Sequence, residues 1–155
     1  MNDNSNYKTA FSMLLTSGLI LLSMLLSNDA YSAEPIDAHG FVVVHIDNQA
    51  SLSRDEIRKI FLGKQKSFDN GLNAKPFLLD GNEEVIRHFN QGVILKSNRQ
   101  MKAYWAKRVF TGKGVSPDTV STDQLIQKLN EIPGAIGYLG ADVQLNDSLR
   151  IVDSF

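Results

Sequence analysis

The sequence predicts one α/β domain, with a mixed central sheet flanked by helices. Short apolar runs rich in β-branched residues alternate with segments whose apolar residues recur at helical spacing, and this alternation is typical of that fold class. The chain has 155 residues, 43% of them hydrophobic and 21% charged, with a formal net charge of −1. This balance is typical of one globular domain, and it excludes a disordered chain.

The first elements in chain order are a strand, a helix and a second strand. Residues 41–46 are β-branched and aromatic, which predicts a buried strand. Ser53 and Glu56 have the spacing of a capping box, which predicts the start of a helix that ends at Gly63. A loop then separates this helix from the second predicted strand, over residues 75–79.

Three helices are predicted between the second strand and the third. The first of them begins at Glu83 and ends at Gly92. The other two begin at capping boxes and are separated by a turn-rich segment; the boxes are Ser97 with Gln100 and Ser121 with Gln124. Two strands follow, over residues 135–139 and 149–152, so the predicted order is strand, helix, strand, three helices, strand, strand.

The first 32 residues have the three-part form of a secretory signal peptide. Lys8 precedes an uncharged apolar run over residues 11–26, and the small residues Ala30 and Ser32 lie at positions −3 and −1 of a cut after residue 32. A membrane-spanning helix needs about 20 apolar residues, so this shorter run favours cleavage over a retained anchor. We therefore expect a signal peptide over residues 1–32 and a domain over residues 33–155.

Composition adds two constraints on the exported part. The exported part has 123 residues, which is enough for one hydrophobic core but not for two lobes. It carries 15 basic and 15 acidic side chains, so its net charge is zero. The chain has no cysteine, which excludes disulfides, thiolate nucleophiles and cysteine-ligated metal sites. An export signal on a cysteine-free chain fits a bacterial periplasmic protein, so the periplasm is the expected location.

The residues that carry catalysis in enzymes form no recognisable pattern here. The three histidines, His39, His45 and His88, do not have the spacing of metal ligands, and His45 is predicted to be a hydrogen-bonded structural residue. The sequence contains no nucleophile elbow, Walker loop, zinc-protease motif or dinucleotide fingerprint. Glu83 and Glu84 point about 100° apart on a helix, so they form no catalytic pair. We therefore expect no enzymatic activity, no metal and no cofactor.

Charge is unevenly distributed along the chain. Between Glu84 and Asp118 there is no acidic residue, whereas seven basic residues occur there: Arg87, Lys96, Arg99, Lys102, Lys107, Arg108 and Lys113. Such a stretch attracts an anion, a nucleic acid or an acidic partner surface unless carboxylates from elsewhere in the fold neutralise it. The zero net charge of residues 33–155 favours neutralisation, and we expect no nucleic-acid partner.

Arg108 differs from the other basic residues in this stretch. Its position places it on the same side of its helix as Met101, Tyr104 and Trp105, which are predicted to be buried. Three roles are open: it extends to solvent at the helix end, it stacks on Tyr104 or Trp105, or it enters a cleft as an anion ligand. The helix-end position favours the first of these.

Two segments resemble the phosphate-binding proteins of bacterial ABC phosphate transporters, specifically their second lobe. Residues 52–64 (LSRDEIRKIFLGK) resemble that family's helix and the Ile-Phe-Leu-Gly-Lys turn after it, and residues 133–138 (PGAIGY) resemble the start of one of its strands. Residues 104–114 are similar to short, single-lobe relatives of the same group. The resemblance implies a single periplasmic-binding-protein-like lobe over most of the exported part.

The candidate ligand site is the turn Asp80-Gly81-Asn82, between the second strand and a helix. An open α/β sheet binds its ligand at such a place, and the resemblance assigns the phosphate loop to the same residues. The family's loop is Arg-x-Asp-Gly-Ser-Gly-Thr; here Leu78 replaces the arginine, Asn82 the serine and Glu84 the threonine. Two carboxylates at this helix start oppose a phosphate dianion. Arg108 is the fourth candidate ligand residue.

Two functions follow from this reading. The first is an exported, non-enzymatic domain of the solute-binding type, which binds phosphate or another small oxyanion at Asp80, Gly81 and Asn82. The alternative is a protein-interaction module of the cell envelope that has lost phosphate binding, with a membrane transporter or another envelope protein as its partner. One lobe cannot close a hinged cleft by itself, so a homodimer that rebuilds a two-sided cleft is a further expectation.

Overall fold

The computed structural model describes residues 38–155, and the predicted signal peptide over residues 1–32 lies outside this range. Within the described range the chain forms five strands and four α-helices. The strands are β1 (Gly40–His45), β2 (Lys75–Leu79), β3 (Asp118–Val120), β4 (Ala135–Gly140) and β5 (Leu149–Ser154). The helices are α1 (Arg54–Phe61), α2 (Glu83–Phe89), α3 (Asn98–Phe110) and α4 (Thr122–Glu131).

The strands form one sheet in the order β3-β2-β4-β1-β5. β2 is parallel to β3 and β4, whereas β1 is antiparallel to β4 and β5, so the sheet is mixed. β4 lies at its centre and is buried along its whole length. The predicted fold class, a mixed α/β sheet flanked by helices, is confirmed.

The predicted order of elements is wrong at one place, because it omits β3. Asp118, Thr119 and Val120 pair in parallel with the last three residues of β2 and form one edge of the sheet. Only Val120 of this strand is buried. Three residues with one inward side chain give no alternating pattern, so the strand is visible only through its pairing.

The three predicted capping boxes are confirmed. Ser53, Ser97 and Ser121 each accept a hydrogen bond from the backbone N–H three residues on, and the side chain of that residue accepts from the backbone of the serine. Each box therefore satisfies two groups at a helix start that would otherwise lack a partner. Capping is a local interaction, and for this reason the sequence predicts it well.

The predicted end of α2 at Gly92 is wrong. The chain passes from α2 into one π-helical turn, Asn90–Ile94, and stops at Leu95, which has a left-handed backbone with φ of +59°. Val93 and Ile94 are buried in the core, and the Arg58 Nε atom donates a hydrogen bond to the Val93 carbonyl at 2.9 Å. Packing of this turn against α1 therefore outweighs the helix-ending tendency of the glycine.

Aromatic rings fill the core between the sheet and the helices. Phe89 stacks on Tyr138 with ring centroids 3.8 Å apart, and Phe61 meets Phe89 edge-on at 4.9 Å. The Tyr138 hydroxyl accepts a hydrogen bond from the backbone N–H of Leu79, and burial raises the pKa of Tyr138 to about 12. Among the described residues, no helix combines the length and the apolar character that crossing a membrane requires.

Candidate functional site

The predicted ligand residues lie around three different cavities. Asp80 lines a cavity of about 310 Å³ between β2, α2 and α3, and Asn82 lines another beside His39. Arg108 lines a third, of about 440 Å³. Gly81 lies in the turn between Asp80 and Asn82, with φ of +92°. The fold therefore keeps Asp80, Gly81 and Asn82 together as a turn but does not bring Arg108 to them.

The turn at Asp80 leads into α2, and side chains of this chain already interact with the start of that helix. The Asn82 Oδ1 atom accepts a hydrogen bond from the Val85 N–H at 3.2 Å and so caps the helix. Glu83 and Glu84 occupy the first turn, where their negative charge complements the helix dipole. These carboxylates take the electrostatic position that a bound anion would occupy.

The cavity beside Arg108, here called the Arg108 cavity, is built where α1, β2 and α3 approach one another. Ile60 and Gly63 line it at the end of α1, Lys75 and Pro76 at the start of β2, and Trp105 and Arg108 near the end of α3. The turn after α3 completes the wall. Four of the lining residues are basic and one is acidic; they are Lys66, Lys75, Arg108, Lys113 and Asp118. Positive charge is therefore concentrated at this site.

Arg108 is held in place by two carbonyls and two rings. Its Nη2 atom donates to the Lys113 carbonyl at 2.6 Å and to the Gly63 carbonyl at 3.4 Å. Its Cζ atom lies 5.7 Å from the ring centroids of both Tyr104 and Trp105. Of the three roles left open by the sequence, the structure shows stacking at the edge of a cavity, and the side chain is half-buried rather than extended into solvent.

The aromatic wall of the Arg108 cavity is fixed to the end of α1. The Tyr104 hydroxyl donates a hydrogen bond to the Leu62 carbonyl at 2.7 Å. Gly63 has φ of +62°, and a Cβ atom there would lie 2.9 Å from the Trp105 ring. The Phe-Leu-Gly segment of the family-like motif thus has a packing role here, because it holds Tyr104 and Trp105 in position.

Two buried donors in this wall have no acceptor among residues 38–155. They are the Trp105 Nε1 and the Arg108 Nε atoms. Trp105 is only 7% exposed, and leaving a buried N–H without a partner costs about 1–3 kcal/mol. Trp105 lines both the Arg108 cavity and the cavity beside Asp80, so a ligand oxygen that reached its N–H from either side would satisfy this donor, and the four basic residues of the Arg108 cavity would balance the charge of an anion there.

Sequence reasoning missed Lys66, Lys75 and Trp105 as members of this site. Lys66 and Lys75 lie outside the basic stretch, and more than 30 residues separate each of them from Arg108. Trp105 was assigned to the buried side of α3, which is correct but incomplete. Only the folded arrangement brings these residues to one cavity.

Most of the basic stretch forms no direct ion pair within residues 38–155. Arg87 lies 3.8 Å from Glu84. Within the described part of the chain, the other six basic residues form no salt bridge; these are Lys96, Arg99, Lys102, Lys107, Arg108 and Lys113. Direct ion pairs are therefore absent from these six residues, although Asp118 lines the same cavity as Arg108 and Lys113.

The histidines have structural contacts. His45 accepts a hydrogen bond at Nδ1 from the Asp47 N–H, as expected of a structural residue. His39 and His88 stack with ring centroids 3.5 Å apart, and burial, followed by the charges of His39 and Arg87, holds the pKa of His88 below its ordinary value. Over residues 38–155 no three His, Cys, Asp or Glu side chains are arranged to hold a metal ion.

Comparison with solved structures shows the type of fold. A phosphate ABC transporter substrate-binding protein with bound phosphate, from Clostridium perfringens, matches with a TM-score of 0.57 at 14% identity, over 74% of this chain and 44% of that one. An ABC-type phosphate transport receptor from Vibrio cholerae matches with a TM-score of 0.55 at 14% identity, over 74% of this chain and 45% of that one. The chain thus has the fold of a single lobe of the periplasmic-binding-protein type, and it spans less than half the length of either protein.

Sequence comparison assigns no family. No family model matches the chain. A curated protein, the adenylosuccinate synthetase of Malacoplasma penetrans (strain HF-2), is 25% identical over an alignment of 125 positions, which covers 75% of this chain and 29% of that enzyme. The match spans less than a third of the enzyme, whereas the two solved structures above are a substrate-binding protein and a transport receptor.

Proposed function

We propose that the chain is an exported, non-enzymatic domain of the solute-binding type, which binds phosphate or another small oxyanion in the Arg108 cavity. The observation that carries the proposal is a cavity lined by four basic residues and by Trp105, where the buried Nε atom of Arg108 and Nε1 atom of Trp105 have no acceptor among residues 38–155. The sequence resemblance and the phosphate bound to the Clostridium perfringens protein favour phosphate as the first ligand to test.

The chemistry of these residues suits an oxyanion. The backbone carbonyls of Gly63 and Lys113 fix the Arg108 guanidinium before a ligand arrives, so little side-chain entropy is lost on binding. The indole N–H of Trp105 donates to a ligand oxygen but carries no charge. Lys66 and Lys75 add positive charge without needing one fixed geometry.

The turn at Asp80-Gly81-Asn82 is the second candidate position for the same ligand. Its place after β2, at the start of a helix, supports it, as does the resemblance to the family's phosphate loop. Glu83 and Glu84 oppose it, because they put two negative charges beside any anion bound there. Variants at the two positions separate these alternatives.

Isothermal titration tests the proposal. Phosphate, sulfate and a phosphonate are titrated into protein purified from the periplasmic fraction of an expressing bacterium. We expect saturable binding of at least one anion, weakened about tenfold or more by Arg108→Met, because one charge-assisted interaction contributes about 1.5–3 kcal/mol. Arg99→Met is the matched control, since it removes an exposed cation of the same helix outside the cavity.

The same titration distinguishes the two positions. If the ligand binds in the Arg108 cavity, Asn82→Ala leaves the affinity unchanged. If Asn82→Ala abolishes binding and Arg108→Met does not, the ligand lies at the helix start instead. No heat with any of the anions at millimolar concentration would reject oxyanion binding.

The protein-interaction alternative is supported by the cations of α3 that form no salt bridge within residues 38–155. Under this alternative an envelope protein with an acidic surface, such as a membrane transporter, binds the face that carries Arg99 and Lys102. The double variant Arg99→Glu/Lys102→Glu should then reduce recovery of the partner in a pull-down. Light scattering at high concentration tests the homodimer separately, because a monomer mass excludes it.

Export itself is part of the proposal. The apolar run and the small residues before position 33 support a cleaved signal peptide. Mass spectrometry of protein from the periplasmic fraction should give the mass of a chain that begins at Ala33. A mass that includes residues 1–32 would reject cleavage.

A further inference from the structure

The end of α3 and the turn after it form an exposed tip, residues 109–115. Every residue of this tip is exposed, and three of them are large and apolar. Val109 is 53% exposed, Phe110 92% and Val115 86%. Side chains exposed to this degree project from the surface, and apolar side chains that cluster in this way mark a site of interaction with a protein or a membrane.

The surroundings of the tip are basic. Lys107 and Lys113 flank the apolar residues, and Lys102 lies further back on α3; all three side chains are exposed. Within residues 38–155 none of the three forms a salt bridge. The tip therefore combines projecting apolar side chains with unpaired positive charge, a pattern that matches a surface with negative headgroups over an apolar interior.

We propose that the tip docks on an anionic phospholipid membrane. Phe110, with Val109 and Val115, enters the boundary between headgroups and acyl chains, and the flanking lysines contact lipid phosphates. A bilayer accepts projecting side chains without a matching pocket, whereas a stable protein interface buries about 800 Å² on each partner. Three side chains on one short turn therefore fit a lipid surface better than a protein surface.

This docking and oxyanion binding are separate properties. Val115 and Lys113 also line the Arg108 cavity, so a lipid headgroup at the tip would lie next to that site. Val109 and Phe110 do not line it, and they provide a way to change the tip alone. The inference rests on the proposed export, because export brings the tip to a membrane. It does not require that the domain binds free phosphate.

Vesicle co-sedimentation tests the docking. Protein from the periplasmic fraction is mixed with phosphatidylcholine vesicles that contain, or lack, phosphatidylglycerol. We expect sedimentation with the anionic vesicles alone and weaker sedimentation at high salt, because salt screens the lysines. Val109→Ser/Phe110→Ser should lower the partition coefficient about tenfold or more, since it removes the inserted apolar groups.

Ile151→Ser is the matched control. Ile151 is 46% exposed on β5, at the opposite edge of the sheet from β3, so its loss should leave sedimentation unchanged. The Val109→Ser/Phe110→Ser variant should still bind the oxyanion as the unmodified protein does, which separates the two proposals. Failure to bind anionic vesicles would overturn the inference, as would binding that the tip variant leaves intact. A third outcome would also overturn it: the unmodified protein forms a dimer and does not bind vesicles, and the tip variant loses the dimer. The tip would then be a protein contact.

Discussion

Gly63 and Trp105 fit together so closely that no larger residue can replace the glycine without displacement of the ring. The glycine has φ of +62°, and a Cβ atom there would lie 2.9 Å from the Cη2 atom of Trp105. The left-handed backbone and the close approach both require glycine at this position. This contact places the indole in the wall of the Arg108 cavity, between the ends of α1 and α3.

Gly63→Ala should therefore destabilise the domain through two effects. Left-handed strain costs about 1 kcal/mol for a non-glycine residue, and displacement of Trp105 adds about 1–3 kcal/mol. Chemical denaturation measures the loss in unfolding free energy. Gly71→Ala is the matched control, because Gly71 has φ of +84° but open space around it, so only the strain applies. Equal losses in the two variants would show that the contact with Trp105 contributes nothing.

The hydrogen bond from Tyr104 to the Leu62 carbonyl fixes the same wall from the other side. Tyr104→Phe removes the hydroxyl and keeps the ring, so it should cost about 1 kcal/mol of unfolding free energy. Because the ring is unchanged, its contact with Arg108 should persist. Thermal melting followed by circular dichroism measures the effect. Melting at an unchanged temperature would mean that water replaces the hydroxyl without loss.

Stability should fall as the solution becomes acidic, and His88 is the cause. Burial, together with the charges of His39 and Arg87, lowers the pKa of His88 in the folded chain. The unfolded chain therefore binds a proton first as the pH falls below about 6.5, and the unfolding free energy decreases until the pH passes the lower, folded pKa. Well above pH 6.5 both states hold His88 neutral, and the effect is absent.

Melting temperatures over the range from about pH 7.5 to pH 5 test this dependence. In the neutral form, the Nε2 atom of His88 accepts from the Arg87 guanidinium, 2.9 Å away. His88→Gln keeps an acceptor but removes the titration, so its melting temperature should fall less over this range. His45→Gln, at a histidine outside the stack, is the control. An identical acid dependence in the His88 variant and the unmodified protein would contradict the assignment.

The parts of the fold that the sequence predicts correctly are those that local interactions determine. The three capping boxes depend on residues three apart, and the strands at β1, β2 and β4 show as apolar runs. The errors occur where distant contacts decide. β3 exists through its pairing with β2, and the π-helical turn continues past Gly92 because Val93 and Ile94 pack in the core.

The candidate site was predictable to a smaller degree. The helical position of Arg108 marked it as unusual, and it does line a cavity. Lys66, Lys75 and Trp105 join it through the approach of α1, β2 and α3, which no short motif encodes. The basic stretch was visible in the sequence, but only the three-dimensional arrangement shows that, within residues 38–155, six of its seven cations form no salt bridge.

The most direct test of oxyanion binding at the Arg108 cavity uses the indole N–H of Trp105. The chain has one tryptophan, so a ¹H–¹⁵N correlation spectrum contains a single indole signal. If a ligand oxygen accepts a hydrogen bond from Trp105 Nε1, this signal should shift saturably as phosphate is added. The Arg99→Met variant is the control and should show the same shift. The same titration of Arg108→Met should need about tenfold more phosphate. An indole signal that does not move at saturating phosphate, or that moves equally in Arg108→Met, would contradict the proposed site.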